Sequence, residues 1–194
     1  MPTLAASGEA LAECLRSLES QTLTNFEAVV VDNSGVGRAR IFGDRTRLIA
    51  NPRNVGFGAA VNQAFDSSQA PYLATLNDDA VAHPQWLEAL LKDAEANPRA
   101  GMFASQVRMA GTPELDSAGM LIAADGSSKQ RGHGQAFGAY CGKTETLFPS
   151  GSAALYRREM LNQIGAFDES FFLYCEDVDL GPVSYTHLTL PTKA

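Results

Sequence analysis

Oxygen-bearing side chains fall where apolar runs stop. Asp32 closes the run Ala28-Val29-Val30-Val31, Asn77-Asp78-Asp79 closes Tyr72-Leu73-Ala74-Thr75-Leu76, and Asn54 sits in the glycine-bearing loop Asn51–Gly58 that follows Arg47–Ala50. Hard carboxylate and amide oxygens of this kind suit Mg²⁺ or Mn²⁺ held jointly with phosphate oxygens. Strand pleating puts residues two apart on one face, so Asn77 and Asp79 could address one ion together. An Asx-rich turn accounts for the same residues equally well. A second acidic set, Glu176, Asp177 and Asp179, follows the aromatic residues Phe167, Phe171, Phe172 and Tyr174. A solvated helix start is the commoner use of such a set. In a partly dry wall, however, burial raises a carboxyl pKa toward the range of a general base.

The elements around these residues alternate. Leu11, Leu15 and Leu18 recur at helical spacing behind Ser7, a suitable N-cap, so the first twenty residues or so predict an amphipathic helix. Ala28–Val31, Arg47–Ala50 and Tyr72–Leu76 read as strands, Ala59–Phe65 as a helix. Pro84 suits the first turn of a helix through Trp86, Leu87, Leu90 and Leu91, which Asn97-Pro98 closes. Met102–Val107 reads as a further strand. This alternation predicts an α/β fold, a mostly parallel sheet with helices on both faces. Ligands of such sheets sit outside the carboxyl ends of the strands, where Asp32, Asn54 and Asp79 fall. From Gly111 to Thr146 only Met120–Ala123 looks strand-like, and the stretch predicts an irregular insert. Ser152–Tyr156 then returns as a strand and Arg158–Ile164 as a short helix.

Composition narrows the partners. The 194 residues carry a net charge of -7, so no basic surface favours nucleic acid. Three widely spaced cysteines, Cys14, Cys141 and Cys175, fit neither a disulfide framework nor a zinc site and suit reduced thiols in a cytoplasmic setting. No run of about 18 apolar residues is present, which predicts a soluble chain, at most peripheral to a membrane.

Taken in order, Val29–Ser34, Asn54–Asn62, Leu76–Asp79, and Ser150-Gly151-Ser152 through Gly165–Glu169 to Glu176-Asp177-Val178-Asp179 resemble family 2 glycosyltransferases, most of all the bacterial rhamnosyltransferase-like branch. Each block is weak alone, but their joint order and spacing over about Leu11–Gly181 is specific. The resemblance implies a GT-A fold and inverting transfer of a sugar, rhamnose among the candidates, from a nucleoside-diphosphate donor to a glycan or lipid-linked acceptor in polysaccharide biosynthesis. It also implies action in the cytoplasm or at the inner face of the membrane. By position Asp32 meets the base or ribose, and Asn54, Gly56, Asn77 and Asp78 line the donor pocket. Asp79 falls on the last acid of a DxD-like motif for a divalent cation, Mg²⁺ or Mn²⁺. Asp177 falls on the acceptor-side base, with Glu176 beside it.

Three departures accompany the resemblance. Asn77 stands where many relatives carry Asp, which weakens the expected metal site by one charge. Met1–Gly8 contains no apolar strand, so the sheet is expected to lack a member. From Pro182 on, proline and threonine are poor helix material, and 182–194 is expected to be a tail foreign to a partial domain spanning 1–181. With both ends affected, turnover is expected to be weak or absent.

Other readings are weaker. Gly35-Val36-Gly37 suggests an NAD(P)-dependent oxidoreductase fold, but Arg40 occupies the third small position of that fingerprint and no helix is predicted after it. A non-catalytic nucleotide-sugar-binding remnant is a third reading. Trp86 reads as a helix-packing residue, His83 and His133 as loop histidines, and Gly151 as either a turn residue or a close backbone approach to ligand.

Overall fold

The computed structural model describes residues 1–142 and 145–187. In chain order its elements are β1 (Pro2–Thr3), α1 (Gly8–Glu19), β2 (Ala28–Asp32), β3 (Thr46–Ala50), α2 (Phe57–Asp66), β4 (Tyr72–Leu76), α3 (Trp86–Ala96), β5 (Met102–Ala104), β6 (Val107–Arg108), β7 (Leu115–Ser117), β8 (Met120–Ile122), β9 (Ser128–Gln130), a 3₁₀ turn (Phe137–Tyr140), β10 (Ala153–Arg157), α4 (Arg158–Ile164) and α5 (Glu176–His187).

Ser7 caps α1, its hydroxyl accepting from the Ala10 amide at 3.3 Å. The helix then buries Leu11, Cys14, Leu15 and Leu18, one stripe at the spacing of successive turns, against Ala28, Val30 and Leu76. Each buried leucine contributes up to about 1.5–3 kcal/mol, an upper value because the unfolded chain is itself partly compact. α2, α4 and Leu180 pack with Tyr156 of β10 and with Phe167. α3 covers Phe103 and Leu155.

The parallel pairing predicted from the alternation is found in β1-β2-β3. The second sheet has the order β4-β10-β5, and both neighbours pair antiparallel to β10. β4 and β5 therefore run in the same sense, with β10 inverted between them after the insert. β1 corrects an expectation. Although only two residues long, it pairs in parallel with β2, Pro2 opposite Val31 and Thr3 opposite Asp32. A strand this short needs no apolar run, because its bonds are made by backbone alone. The insert is also more regular than expected. Leu115–Ser117 pairs with Val107–Arg108, and Met120–Ile122 forms a hairpin with Ser128–Gln130 around Asp125-Gly126.

α5 gives a further correction. It continues through Pro182 to His187 rather than stopping. A proline inside a helix forfeits one backbone hydrogen bond, but the preceding turn is fixed by packing: Leu180 is buried, and a methyl group on Gly181 would come within 2.8 Å of Phe148. Residues 188–194 of the expected tail lie outside the described residues. The loop after β2 contains no helix and leads directly to the parallel strand β3, so Gly35-Val36-Gly37 does not form a dinucleotide fingerprint. Trp86 packs as expected, its indole N–H donating to Ser105 at 2.8 Å.

Candidate functional site

The tips of β1, β2 and β4 are tied together by Thr3, a buried residue. Its carbonyl accepts from the Asn33 amide at 2.7 Å, and its hydroxyl donates to Asp78 Oδ2. Thr3 escaped the sequence analysis, because its partners depend on a strand pairing that no pattern announces.

Asp32 is 1% exposed and spends both carboxylate oxygens on its own loop. Oδ1 accepts from the Ser34 amide at 2.7 Å and Oδ2 from the Ala39 amide at 2.8 Å. Burial pushes this carboxyl up, but bonds from the Ser34 hydroxyl and the Ala39, Ser34 and Arg38 amides together outweigh it and hold the pKa below the usual range. Asp32 thus shapes its own loop.

Beside it lies an amide network that was also not foreseen. Asn33 Nδ2 donates to the Gly56 carbonyl at 3.0 Å, and Asn51 Nδ2 donates to Asn33 Oδ1 and Gln63 Oε1, each at 2.8 Å. Asn54 Oδ1 accepts from the Gly56 amide at 2.9 Å, folding the loop that opens α2. Gly56 has φ 92° and ψ 171°, a region open essentially to glycine alone. A methyl group there would also lie 2.5 Å from the Phe172 carbonyl oxygen. That carbonyl accepts from the Phe57 amide at 3.1 Å, which joins the mouth of α2 to the segment leading into α5.

The acids at the start of α5 face the turn before β10. The Gly151 amide donates to Asp177 Oδ2 at 3.3 Å, and a methyl group on Gly151 would lie 4.0 Å from Glu176 Oε1. Burial raises the pKa of both Glu176 and Asp177, with the neighbouring Asp177 charge adding to the effect on Glu176 and the Gly151 amide opposing it at Asp177. A carboxyl raised in this way is poised to take a proton. Asp179 instead lines a separate surface hollow with Asn62, Asp168 and Glu169.

Asn77, Asp78 and Asp79 occupy a turn, closed by the Ala80 amide on the Asn77 carbonyl at 3.2 Å. β4 has ended at Leu76, so the pleat expected to align Asn77 with Asp79 does not extend this far. Asp79 is exposed, whereas Asp78 is half-buried against Thr3. Among the described residues no group of three His, Cys, Asp or Glu could hold a metal. The two carboxylates of Asp78 and Asp79 are the kind of hard oxygen donor that would fit an ion completed by substrate phosphates, the usual manner of Mg²⁺. The Asn77 amide donates to the Ser152 carbonyl at 2.8 Å. This closes a circuit: Asp78 to Thr3, Asn33, Gly56 and Phe172, along the chain to Glu176-Asp177, and back through Gly151-Ser152 to Asn77. Asp32, Asn54, Asn77-Asp78-Asp79 and Glu176-Asp177 lie on this ring or next to one of its members, whereas Asp179 does not.

Comparison with known proteins identifies the family and the fold. The profile described as Glycosyl transferase family 2 matches residues 1–165. An N-acetylglucosaminyl-diphospho-decaprenol L-rhamnosyltransferase of Mycobacterium tuberculosis is 30% identical over 162 residues, covering 70% of this chain and 52% of its own length. An uncharacterized glycosyltransferase of Methanocaldococcus jannaschii is 33% identical over 95 residues, covering 45% of this chain and 33% of its own. The chain thus spans about half or less of the curated relatives it matches. Among solved structures, the Pyrobaculum calidifontis mannosyltransferase PcManGT in complex with GDP-Man and Mn²⁺ has a TM-score of 0.62 at 17% identity, over 92% of this chain and 48% of that one. Staphylococcus aureus TarS, residues 1–349, has a TM-score of 0.60 at 17% identity, over 96% and 54% respectively. At these identities the structures establish the fold alone, which is that of GT-A glycosyltransferases.

Proposed function

The chain belongs to glycosyl transferase family 2, and we propose that it forms the donor-binding part of an enzyme that moves a sugar from a nucleoside diphosphate to an acceptor hydroxyl with inversion. The observation that carries this reading is the hydrogen-bonded circuit joining the ends of β1, β2 and β4 to the mouth of α2 and the first turn of α5. It supports one crevice with a carboxyl of raised pKa on one side and hard oxygen donors on the other.

In this reading the loop shaped by Asp32, together with Asn54 and Gly56, receives the nucleoside. Asn77 and Asp78 border the donor's diphosphate, and Asp79 is the protein's ligand to a divalent cation. Such a cation, when bound, neutralises charge that develops on the departing diphosphate. Asp177 accepts the proton of the acceptor hydroxyl as its oxygen attacks the anomeric carbon from the face opposite the leaving group. One displacement then inverts the configuration. Glu176 flanks that base.

The similarity to a relative whose name specifies a decaprenol-linked acceptor and rhamnose supports a lipid-linked acceptor and a deoxyhexose donor. Among the described residues no helix is long and apolar enough to cross a membrane. We place the reaction at the cytoplasmic face of a membrane, with the chain associated peripherally.

The test is a panel of nucleoside-diphosphate sugars, varied in base and sugar with rhamnose included, offered with Mn²⁺ and a lipid-diphosphate acceptor. Release of nucleoside diphosphate that requires both acceptor and Asp177 supports the proposal. Binding of every donor without release, in a chain extended to the length of its relatives, refutes it.

A further inference from the structure

Behind the proposed base lies a small polar cluster within an otherwise apolar core. Tyr156 is fully buried in the packing of Val61, Phe65, Leu161 and Phe167, and its ring meets Phe167 edge-on with centroids 5.5 Å apart. Thr75, 1% exposed, pairs with Ala154, two residues from Tyr156 on the same face of the sheet, which makes the two side chains diagonal cross-strand neighbours. Glu176, 7% exposed, lies in the first turn of α5 beside Gly58 and Gly151, near enough for its charge to act on the Tyr156 phenol. No hydrogen bond of full geometry satisfies the buried Tyr156 hydroxyl, Thr75 hydroxyl or Glu176 Oε2, although the Thr75 hydroxyl lies close enough to Tyr156 to act on it as a weak hydrogen-bond partner.

A phenylalanine and a valine would fill the same space without a polar group to satisfy, and each orphaned polar group costs about 1–3 kcal/mol. Thr75 and Tyr156 as diagonal neighbours, with the Glu176 charge acting on Tyr156, call for a shared partner. A single water held by two to four polar groups is the usual solution in a protein interior. Burial raises the Tyr156 phenol far above its ordinary range, and the nearby Asp177 and Glu176 charges raise it further while Thr75 opposes them, so the tyrosine stays a neutral donor directed to this cluster. Asp177 is the charged neighbour acting on Glu176.

We propose that Thr75, Tyr156 and Glu176 form a buried relay, joined by one bound water, in which the two hydroxyls hold the Glu176 carboxyl and thereby fix the first turn of α5 that carries Asp177. All three are positioning residues. The inference rests on the reading of Asp177 as the base, but it is tested without turnover.

The experiment is a ¹³C carboxyl NMR titration of Glu176 and Asp177 in the intact chain, comparing wild type with Tyr156→Phe and, in case that variant folds poorly, Thr75→Val. Loss of a hydroxyl donor disfavours the charged carboxylate, so the Glu176 midpoint is expected to rise by about half a unit or more, with a smaller change at Asp177. Midpoints that stay in place overturn the proposal, whether the variants melt lower, as lost packing alone would cause, or higher, as removal of an orphaned hydroxyl would. If the midpoints move but no donor is ever turned over, the relay stands and the transferase reading fails.

Discussion

Replacing Gly56 by alanine tests the join between the donor loop and the base most severely. The backbone there, φ 92° and ψ 171°, lies in a region essentially reserved for glycine, and the new methyl group would sit 2.5 Å from the Phe172 carbonyl oxygen. Strain of about 1–3 kcal/mol adds to overpacking of about 1–3 kcal/mol, so the expected loss is roughly 2–6 kcal/mol. For a chain of this size that lowers the melting temperature by roughly 4–24 °C. Relief requires either the Phe57 amide to leave the Phe172 carbonyl or Asn33 to leave the Gly56 carbonyl, each a bond of the circuit. Urea denaturation gives the stability, and calorimetry with a nucleoside diphosphate gives the Kd. Gly8→Ala is the control, since a methyl group there meets nothing within 4 Å, and its stability should stay within about 1 kcal/mol of wild type. A Gly56→Ala chain as stable as that control would refute the argument from close approach.

Other perturbations separate the roles. Asp177→Asn keeps an acceptor for the Gly151 amide but cannot take a proton, so transfer should fall by about 10²–10⁴-fold while nucleotide Kd is unchanged; an equal fall in binding would contradict a role in the chemical step. Asp177 has a raised pKa, so the wild type should lose stability relative to Asp177→Asn as pH rises from about 3.9, the unfolded value, through the folded value, which paired urea titrations at several pH values would detect. Asp32 has the opposite sign. Its lowered pKa contributes stability that is present above about pH 3.9 and lost as pH falls through the folded value, so Asp32→Asn should flatten the acid limb of the stability profile. Asp79→Ala, or chelation with EDTA, should weaken nucleoside-diphosphate binding measured in Mn²⁺ while leaving binding of the unphosphorylated nucleoside as it was.

Much of this arrangement was legible because it depends on local pattern. The capped, striped helix behind Ser7, the β-branched run into Asp32 and the apolar run into Asn77 each satisfy a short-range rule, and they lie where those rules put them. What escaped depends on pairing partners. Pro2-Thr3 has no strand signature, yet its register against Val31-Asp32 brings Thr3 to Asp78. Nothing in Ser152–Tyr156 reveals that this strand runs against both its neighbours. Asn33, Asn51 and Gln63 look like ordinary surface amides until the ends of β2 and β3 and helix α2 converge on them. Asp32 was singled out as a ligand contact, and only coordinates reveal that its oxygens serve its own loop.

The claim beneath all of this is that the donor loop, the acidic turn and the first turn of α5 border a single ligand. Paramagnetic NMR addresses it directly, with Mn²⁺ and a nucleoside diphosphate added to the ¹⁵N-labelled chain. The account predicts selective broadening of the amides of Asp79, Ala80 and Gly151, together with nucleotide-induced shifts at Ser34 and Gly56. Broadening centred elsewhere, such as around Asp116 and His133, with those five amides undisturbed, would contradict it.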